Sequence, residues 1–237
     1  MKRIFLIQIL LCITLVSFSQ KSKNAIEAKA LYFSATCSRP VRTEFDKYMN
    51  VIGDSLKLTN MLTAKNGYGI GAGFIIRTNK SEIEAGGGIV FGESIKGNNS
   101  SSNNTATLKT QTFDIHFGYS NYIAGPFFIG VDFGVISNNG KFTVSGSSTS
   151  LFESTPESNN PFKGYVFSVK PKAGFFFPFK KDKLSGFKLN AFYDAGLTKY
   201  DFYNKDIFST RLKNYKGDTK SSFKGFGVQA GIIFDME

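Results

Sequence analysis

Apolar side chains recur at every second position in eight segments of this chain, with glycine or polar residues between them. In the clearest segment, residues 127–135, one alternate set is entirely apolar: Phe127, Ile129, Val131, Phe133 and Val135. The other set includes Gly130, Asp132 and Gly134. A period of two places the two sets on opposite faces of a β-strand. The pattern therefore predicts an all-β chain of eight strands, each with one apolar face.

The predicted strands lie over residues 26–34, 67–77, 82–92, 107–120, 126–136, 164–179, 187–198 and 223–234. They are joined by short connections at 78–81, 121–125 and 180–186, and by long ones at 35–66, 93–106, 137–163 and 199–222. This alternation is typical of an antiparallel up-and-down transmembrane β-barrel, in which short turns face the periplasm and long loops the exterior. We therefore expect an eight-stranded barrel with both chain ends in the periplasm.

The second alternate set on the strands is rich in glycine, as at Gly69, Gly71 and Gly73. Small residues suit the narrow interior of an eight-stranded barrel, whereas a solvent-facing surface gives no reason for them. We therefore assign the apolar sets to a lipid-facing outside and the glycine-rich sets to the lumen. On the first strand, the set assigned to the outside is Ile26, Ala28, Ala30 and Tyr32.

The predicted lumen also contains charges of both signs and the only histidine of the chain. Its polar members are Glu27, Lys29, Glu84, Asp114, His116, Asp132, Lys170, Lys172, Lys188 and Asp194. Acids and lysines are nearly balanced, and buried charges must pair to offset their desolvation. We interpret the set as a salt-bridged network that plugs the lumen, with a proton relay or an ion path as the alternative.

The N-terminal residues predict the compartment. Lys2 and Arg3 precede an apolar run of 13 residues from Ile4 to Val16, and a small-residue cleavage pattern follows at residues 17–19. This is the organisation of a secretory signal peptide, and the run is shorter than the roughly 20 residues that a helix needs to cross a bilayer. We predict a cleaved signal peptide at residues 1–19 and an outer-membrane β-barrel domain at 20–237. Cys37 would then be a free thiol in a loop.

The chain is basic, with a formal net charge of +11. Its Lys and Arg residues concentrate between the predicted strands, which together with export argues against a nucleic-acid partner. In the fourth long loop, Arg211, Lys213 and Lys216 belong to an excess of basic residues. Two interpretations stay open: a solvated loop without a fixed ligand, or contacts with phosphates of lipopolysaccharide in the outer leaflet.

The first long connection contains a second pattern. Phe45, Tyr48, Met49, Ile52 and Leu56 recur at helical spacing, and Thr43 with Asp46 can form a variant capping box. These features predict a short amphipathic helix over the barrel mouth. The alternation of Leu56, Leu58, Leu62 and Ala64 instead favours a strand extension up to Asn66-Gly67, and both alternatives stay open.

Four segments carry a family resemblance: Ile26–Ser34, the glycine-rich Gly67–Phe74, Ala191–Thr198 and the closing Gly225–Phe234. In pattern and order they resemble the PorT-like outer-membrane β-barrel domain common in Bacteroidetes, and the resemblance spans essentially the whole mature chain. It implies the membrane location and the barrel fold, and it implies no particular activity. Outer-membrane barrels usually end on an aromatic residue that the barrel assembly machinery reads, whereas Asp235–Glu237 follow Phe234 here. Pro171 lies inside a predicted strand of an edgeless sheet, which predicts a β-bulge there.

Groups that could carry catalysis are scarce. With one histidine, His116, the chain cannot form a multi-histidine zinc site, and the Gly69-x-Gly71-x-Gly73 spacing lacks the lysine and helix of a phosphate-binding loop. We expect no catalytic residue, metal site or cofactor. The sequence predicts a small, non-enzymatic, porin-like outer-membrane protein that acts in envelope structure or assembly, or on an envelope protein partner through its loops. An outer-membrane enzyme acting on lipid or peptide and a narrow channel are the alternatives.

Overall fold

The computed structural model describes residues 28–55, 57–59, 66–78, 80–92, 95–99, 104–145, 162–180, 184–201, 217–218 and 220–236. The predicted signal peptide lies outside these residues, as do Glu27 and the loop residues Arg211, Lys213 and Lys216.

The described residues contain nine β-strands and one α-helix. The strands are β1 (Ala28–Val41), β2 (Gly67–Arg77), β3 (Ser81–Gly92), β4 (Ile95–Asn99), β5 (Asn104–Ala124), β6 (Phe127–Ser145), β7 (Phe162–Pro178), β8 (Gly186–Asp201) and β9 (Lys220–Asp235). The helix, α1 (Thr43–Ser55), lies between β1 and β2.

Eight of these strands form a closed antiparallel ring. β1, β2 and β3 pair in chain order, β3 pairs with β5, and β5 to β9 again pair in chain order before β9 returns to β1. β4 pairs with the start of β5 and extends the sheet beyond the ring. Closure removes the open edges that a flat sheet would expose. The predicted eight-stranded up-and-down barrel is confirmed.

The ring continues into segments that the sequence pattern predicts as loops. β1 extends to Val41, β5 begins at Asn104 and β6 continues to Ser145. These extensions carry polar residues on both faces, so the alternation fades while the backbone pairing continues. The short connections at the other end stay tight, and Gly125 has a φ of 54° in the turn between β5 and β6, a conformation that costs glycine little.

The predicted faces of β1 are inverted. Tyr32 is only 5% exposed and lies in the lumen, whereas Leu31 and Phe33 are 42% and 56% exposed on the outside. Each alternate set of this strand contains both apolar and polar residues, so its composition does not decide the direction. The rest of the barrel does, because a Cβ atom at Gly86 on β3 would clash with the Tyr32 hydroxyl, so this glycine leaves the room that the tyrosine side chain needs.

Two other residues of β1 change face with the inversion, and the greater length of the strand takes in a third, Cys37. Lys29 shares the outward face and is exposed, so its predicted place in the lumen is wrong. Ala30, predicted outside, is fully buried. Cys37 is an exposed free thiol on the strand itself and not in a loop.

The bulge predicted at Pro171 is absent. Pro171 pairs with Val131 on β6 in an unbroken register. On its other side, β7 pairs with β8 at Val169↔Ala195 and at Lys172↔Phe192, but not at the positions between these pairs. The two pairs have the same offset, so no residue is inserted in either strand. The sheet therefore accommodates the missing N–H of proline by omitting ladder contacts and not by inserting a residue. The register shifts lie elsewhere, at Tyr122/Ala124 and Ala195/Lys199.

The helix predicted in the first long connection is confirmed. The side chains of Phe45, Tyr48, Met49 and Ile52 are all at most 2% exposed, which is the apolar face that the helical spacing predicts. The cap differs by one residue, since Asp46 Oδ2 accepts the backbone N–H of Arg42 at 3.2 Å. The alternative strand extension falls largely on residues outside the described ones, and the described residues 57–59 form no strand. None of the helices that the structure describes is long and apolar enough to cross a membrane.

Candidate functional site

The lumen of the ring is closed at the short-connection end by an apolar cluster. Its buried members are Ala30, Tyr32, Ile75, Phe176, Leu184 and Ile233. Leu184 comes from the connection between β7 and β8, so this turn folds back under the ring. Strand alternation supplies the others from inward positions of four strands. These side chains pack together inside the described part of the ring at this end.

A first layer of charges lies against the apolar cluster. Arg77 Nη2 donates to Glu82 Oε2 at 2.6 Å, and Tyr122 donates to the same oxygen at 2.9 Å. Lys188 also donates to Glu82, whose side chain is fully buried. The Arg77 guanidinium lies 4.0 Å from the ring centroid of Phe176, a cation–π contact that joins the charged layer to the apolar one.

Glu84 is the centre of the next layer. Its Oε2 accepts from Lys172 Nζ at 2.9 Å and from Lys188 Nζ at 3.1 Å. Its Oε1 lies 3.3 Å from His116 Nε2. Lys172 also contacts Asp132 Oδ1 at 2.6 Å. Four strands, β3, β5, β7 and β8, thus meet at one carboxylate, which only a narrow closed ring permits.

The third layer contains His116 and a further ion pair. His116 Nδ1 lies 2.7 Å from Asp114 Oδ2, and His116 Nε2 lies 3.1 Å from the Tyr32 hydroxyl. Lys170 lies 3.4 Å from Asp114 and 3.5 Å from Asp194. Both ring nitrogens of His116 therefore face carboxylate oxygens, an arrangement that suits a doubly protonated ring donating on both sides. In that form, the five cations of the three layers equal their five acids in number.

The structure brings together eight of the ten residues predicted in the lumen network: Glu84, Asp114, His116, Asp132, Lys170, Lys172, Lys188 and Asp194. Lys29 lies outside, and Glu27 is not among the described residues. Sequence analysis missed Arg77, Glu82, Tyr32 and Tyr122. Glu82 and Arg77 could have been predicted from the strand alternation alone, because they occupy further inward positions of β3 and β2.

Toward the long connections, the lumen contains a cavity of about 50 Å³. Its lining includes Asp114, Lys170 and Asp194 on the network side and Arg42 and Thr112 on the other. A polar space of this size has room for a few water molecules, since one water needs roughly 10–15 Å³ of such volume. A second space of about 10 Å³ adjoins Glu84 and Lys188. The described lumen thus contains a charged network with small polar cavities beside it.

Arg42 closes this cavity on the side of the long connections. The residue is 3% exposed, and its Nη2 donates to Thr112 Oγ1 at 3.5 Å. Thr112 in turn donates to Asn138 Oδ1 at 3.1 Å, and the guanidinium lies 5.8 Å from the ring centroid of Phe223. These contacts join the residue after β1 to β5, β6 and β9 at the level of the mouth.

Helix α1 covers the mouth above Arg42. The backbone N–H of Phe45 donates to Ser221 Oγ on β9 at 3.3 Å, which fixes the start of the helix against the ring. Asp46 caps the helix through Arg42, and partial burial raises the pKa of its carboxyl while contacts with Arg42 oppose the shift. Beyond the helix, Thr59 N–H donates to Asn98 O at 3.1 Å, so the same connection also contacts β4.

The outside of the ring is an apolar belt. Large apolar side chains stand exposed on all eight ring strands, with Ile115, Ile70 and Leu197 at 74%, 66% and 64%. The belt crosses the β1/β9 seam, where the Phe33 and Phe234 ring centroids lie 6.2 Å apart. A continuous exposed surface of this kind is far larger than the apolar patches of a soluble monomer. Among the described residues, no group of three or more His, Cys, Asp or Glu is placed to hold a metal ion.

The chain is similar to known proteins in three-dimensional structure. No protein-family profile matches the sequence, and neither does any curated protein sequence. One similar structure is Ail, the attachment invasion locus protein of Yersinia pestis, solved in complex with the heparin analogue sucrose octasulfate. It is 13% identical with a TM-score of 0.44, over 87% of this chain and 97% of that one.

Two further solved structures are similar to this chain. OprG, an outer membrane protein of Pseudomonas aeruginosa, is 12% identical with a TM-score of 0.42, over 90% of this chain and 100% of that one. Neisserial surface protein A is 10% identical with a TM-score of 0.41, over 88% of this chain and 97% of that one. At this level of similarity, the function of this barrel must be argued from its own residues.

Proposed function

We propose that this chain is a small, integral outer-membrane β-barrel protein without enzymatic activity. Its lumen is plugged, and it acts in envelope structure or assembly, or through its extracellular loops. The observation that carries the proposal is the apolar belt around a closed ring, at whose level the described charged groups face inward. A water-soluble barrel would have the opposite arrangement, with apolar groups inside and charges outside. The N-terminal signal pattern and the PorT-like resemblance support the same compartment.

An enzymatic function has little support in the lumen. His116 and Asp114 form a hydrogen-bonded pair at 2.7 Å, as a general base and its orienting acid would. However, the pair is surrounded by Lys170, Glu84 and Tyr32 beneath the covered mouth, and no serine or cysteine contacts the ring nitrogens among the described residues. We therefore assign His116 to the plug.

A channel function is the second candidate, because the lumen is polar and contains a cavity. The cavity of about 50 Å³ ends at Arg42 on one side and at the charged layers on the other. An eight-stranded ring leaves an interior that its side chains can fill, whereas aqueous channels belong to barrels of about 16 strands or more. The loops therefore remain the better candidates for function, including Arg211, Lys213 and Lys216 as proposed contacts of lipopolysaccharide phosphates.

Membrane fractionation tests the proposal. We expect the mature protein in the outer-membrane fraction, and we expect the unboiled sample in mild detergent to migrate differently from the boiled one on a denaturing gel. Closed barrels resist detergent unfolding because each backbone group has a partner within the ring. Recovery of the native protein in the soluble periplasmic fraction would contradict the proposal.

A further inference from the structure

Basic side chains stand outside the ring along the border of the apolar belt, on the side of the long connections. We call Arg39, Lys109, Lys141, Lys199 and Lys224 the basic band; all five are exposed. They belong to β1, β5, β6, β8 and β9, so the band follows most of the ring. The charged residues of the lumen network pair with one another, and none of them belongs to the basic band.

The band begins where the belt ends. On β9, Lys224 occupies the next outward position after Phe226, which is 61% exposed, and on β8 Lys199 follows Leu197 in the same way. On β1, Arg39 follows Cys37. Lys224 lies opposite Val41 of β1, so the band is continuous across the β1/β9 seam. This position corresponds to the lipid headgroups if the belt lies in the hydrocarbon.

Most of the band has no acidic partner within the described part of the chain. Lys199 Nζ lies 3.0 Å from Asp218 Oδ2, but Arg39, Lys109, Lys141 and Lys224 form no ion pair with any residue that the structure describes. Lys109 and Lys141 also lie directly opposite each other on β5 and β6. Facing like charges at this spacing destabilise a sheet. An external anion between the two ammonium groups would remove that cost.

We propose that the basic band binds the phosphate groups of lipids in the leaflet on the long-connection side, with Lys109 and Lys141 sharing one phosphate. The inference rests on the proposed function, since it needs the belt to be in a membrane. Lysine is a common phosphate ligand, acting as a point charge. The protein would then carry an ordered lipid collar that sets its depth in the membrane.

The belt below Lys109 favours a lipid over a soluble anion. Phe113 and Ile115 stand on the same face of β5, 41% and 74% exposed. A lipid with its phosphate at Lys109 and Lys141 can lay an acyl chain along these side chains. A free phosphate would bind the two lysines and leave Phe113 and Ile115 uncovered, whereas a lipid would cover both the lysines and these apolar side chains.

Lipid binding by the folded barrel tests the proposal. The triple variant Lys109→Gln, Lys141→Gln, Lys224→Gln is compared with wild type and with Lys29→Gln, Lys80→Gln, Lys180→Gln, which removes three exposed charges at the opposite end. The probe is diphosphoryl lipid A added to protein in neutral detergent, with bound lipid counted by native mass spectrometry. Dephosphorylated lipid A and inorganic pyrophosphate are the other two arms.

We expect the band variant to bind diphosphoryl lipid A about tenfold more weakly, as three exposed charge pairs suggest, and the control variant to match wild type. Wild-type binding should weaken as salt rises and should be weak for dephosphorylated lipid A. Equal affinity of the two variants, or displacement of lipid by equimolar pyrophosphate, would overturn the inference. If the wild-type protein fractionates with the outer membrane in either case, only this inference fails and the proposed function stands.

Discussion

Among single residues, Glu84 is one of the most connected in the lumen. It accepts from Lys172 and Lys188 and lies beside His116, and its own strand supplies no cation for it. Buried carboxylates are tolerated when several donors satisfy them, and removal of one charge leaves its partners uncompensated. The stability of the ring should therefore depend more on this side chain than on any exposed ion pair.

Glu84→Gln should lower the free energy of unfolding by about 3–5 kcal/mol, because two buried lysines lose a shared partner. The measurement is equilibrium unfolding in urea of barrels refolded into lipid vesicles. The folded fraction is read from the different mobilities of the folded and unfolded forms on a denaturing gel run without heating the sample. Glu44→Gln is the matched control, since Glu44 pairs with Lys47 at 2.9 Å on the outside of α1. That variant should change stability by at most about 0.5 kcal/mol. Similar effects for both would show that the network is not a structural plug.

Among the elements, α1 depends on its setting more than on its sequence. Glu44 and Asp46 in its first turn suit the positive end of the helix dipole, but a helix of 13 residues is marginal in water. Its stability comes from the buried side chains over the mouth and from the bond to Ser221. Asp46 adds a pH dependence, because the cap is partly buried.

Protection of α1 should be greatest in acid and should fall as the pH rises. The folded state raises the pKa of Asp46 above its ordinary value of 3.8, so it binds a proton more tightly than the opened state does. The resulting stabilisation is fully present below 3.8 and is lost as the pH rises through the folded pKa. Hydrogen exchange of the α1 amides, corrected for intrinsic rates, measures this.

Asp46→Asn should remove the pH dependence of α1 while keeping the cap, since an amide oxygen can still accept the N–H of Arg42. Asp54→Asn, at the exposed end of the same helix, should retain the wild-type profile. A flat profile in wild type, or the same slope in Asp46→Asn, would contradict the assignment of the effect to Asp46.

At the scale of the whole molecule, the ring is closed in two independent places. Arg42 and α1 cover the cavity at one end, and the charged layers with the apolar cluster block the other. Since the second barrier does not depend on the first, loss of the cover alone should not open a path.

Reconstituted wild-type protein should show no steady conductance in planar bilayers, and neither should Arg42→Ala. A porin of larger ring size, inserted by the same procedure, serves as the positive control. Stable steps in the wild-type protein would contradict the plugged lumen. Steps in Arg42→Ala alone would mean that the mouth is the only barrier and that the layers beneath it conduct.

Much of the barrel follows from local pattern. Alternation within a strand depends on residues two positions apart, so the eight ring strands, the outward faces of seven of them and the lumen position of Glu84 or Asp132 were predictable. The helical spacing in α1 is equally local. Pro171 shows where local pattern is insufficient. Whether a proline causes a bulge depends on how the two neighbouring strands accommodate the lost hydrogen bond.

The period of the strands, their order and the chemical contrast between their two faces follow from the amino-acid sequence, because each is set by neighbours along the chain. The direction of β1 depends on the tertiary structure, because both alternate sets of this strand mix apolar and polar residues and the space left by Gly86 favours Tyr32 inside. It also decided the partners in the lumen. Glu84 meets Lys172 and Lys188, more than 85 residues away in the chain, because closing an eight-stranded ring brings opposite walls within the reach of side chains.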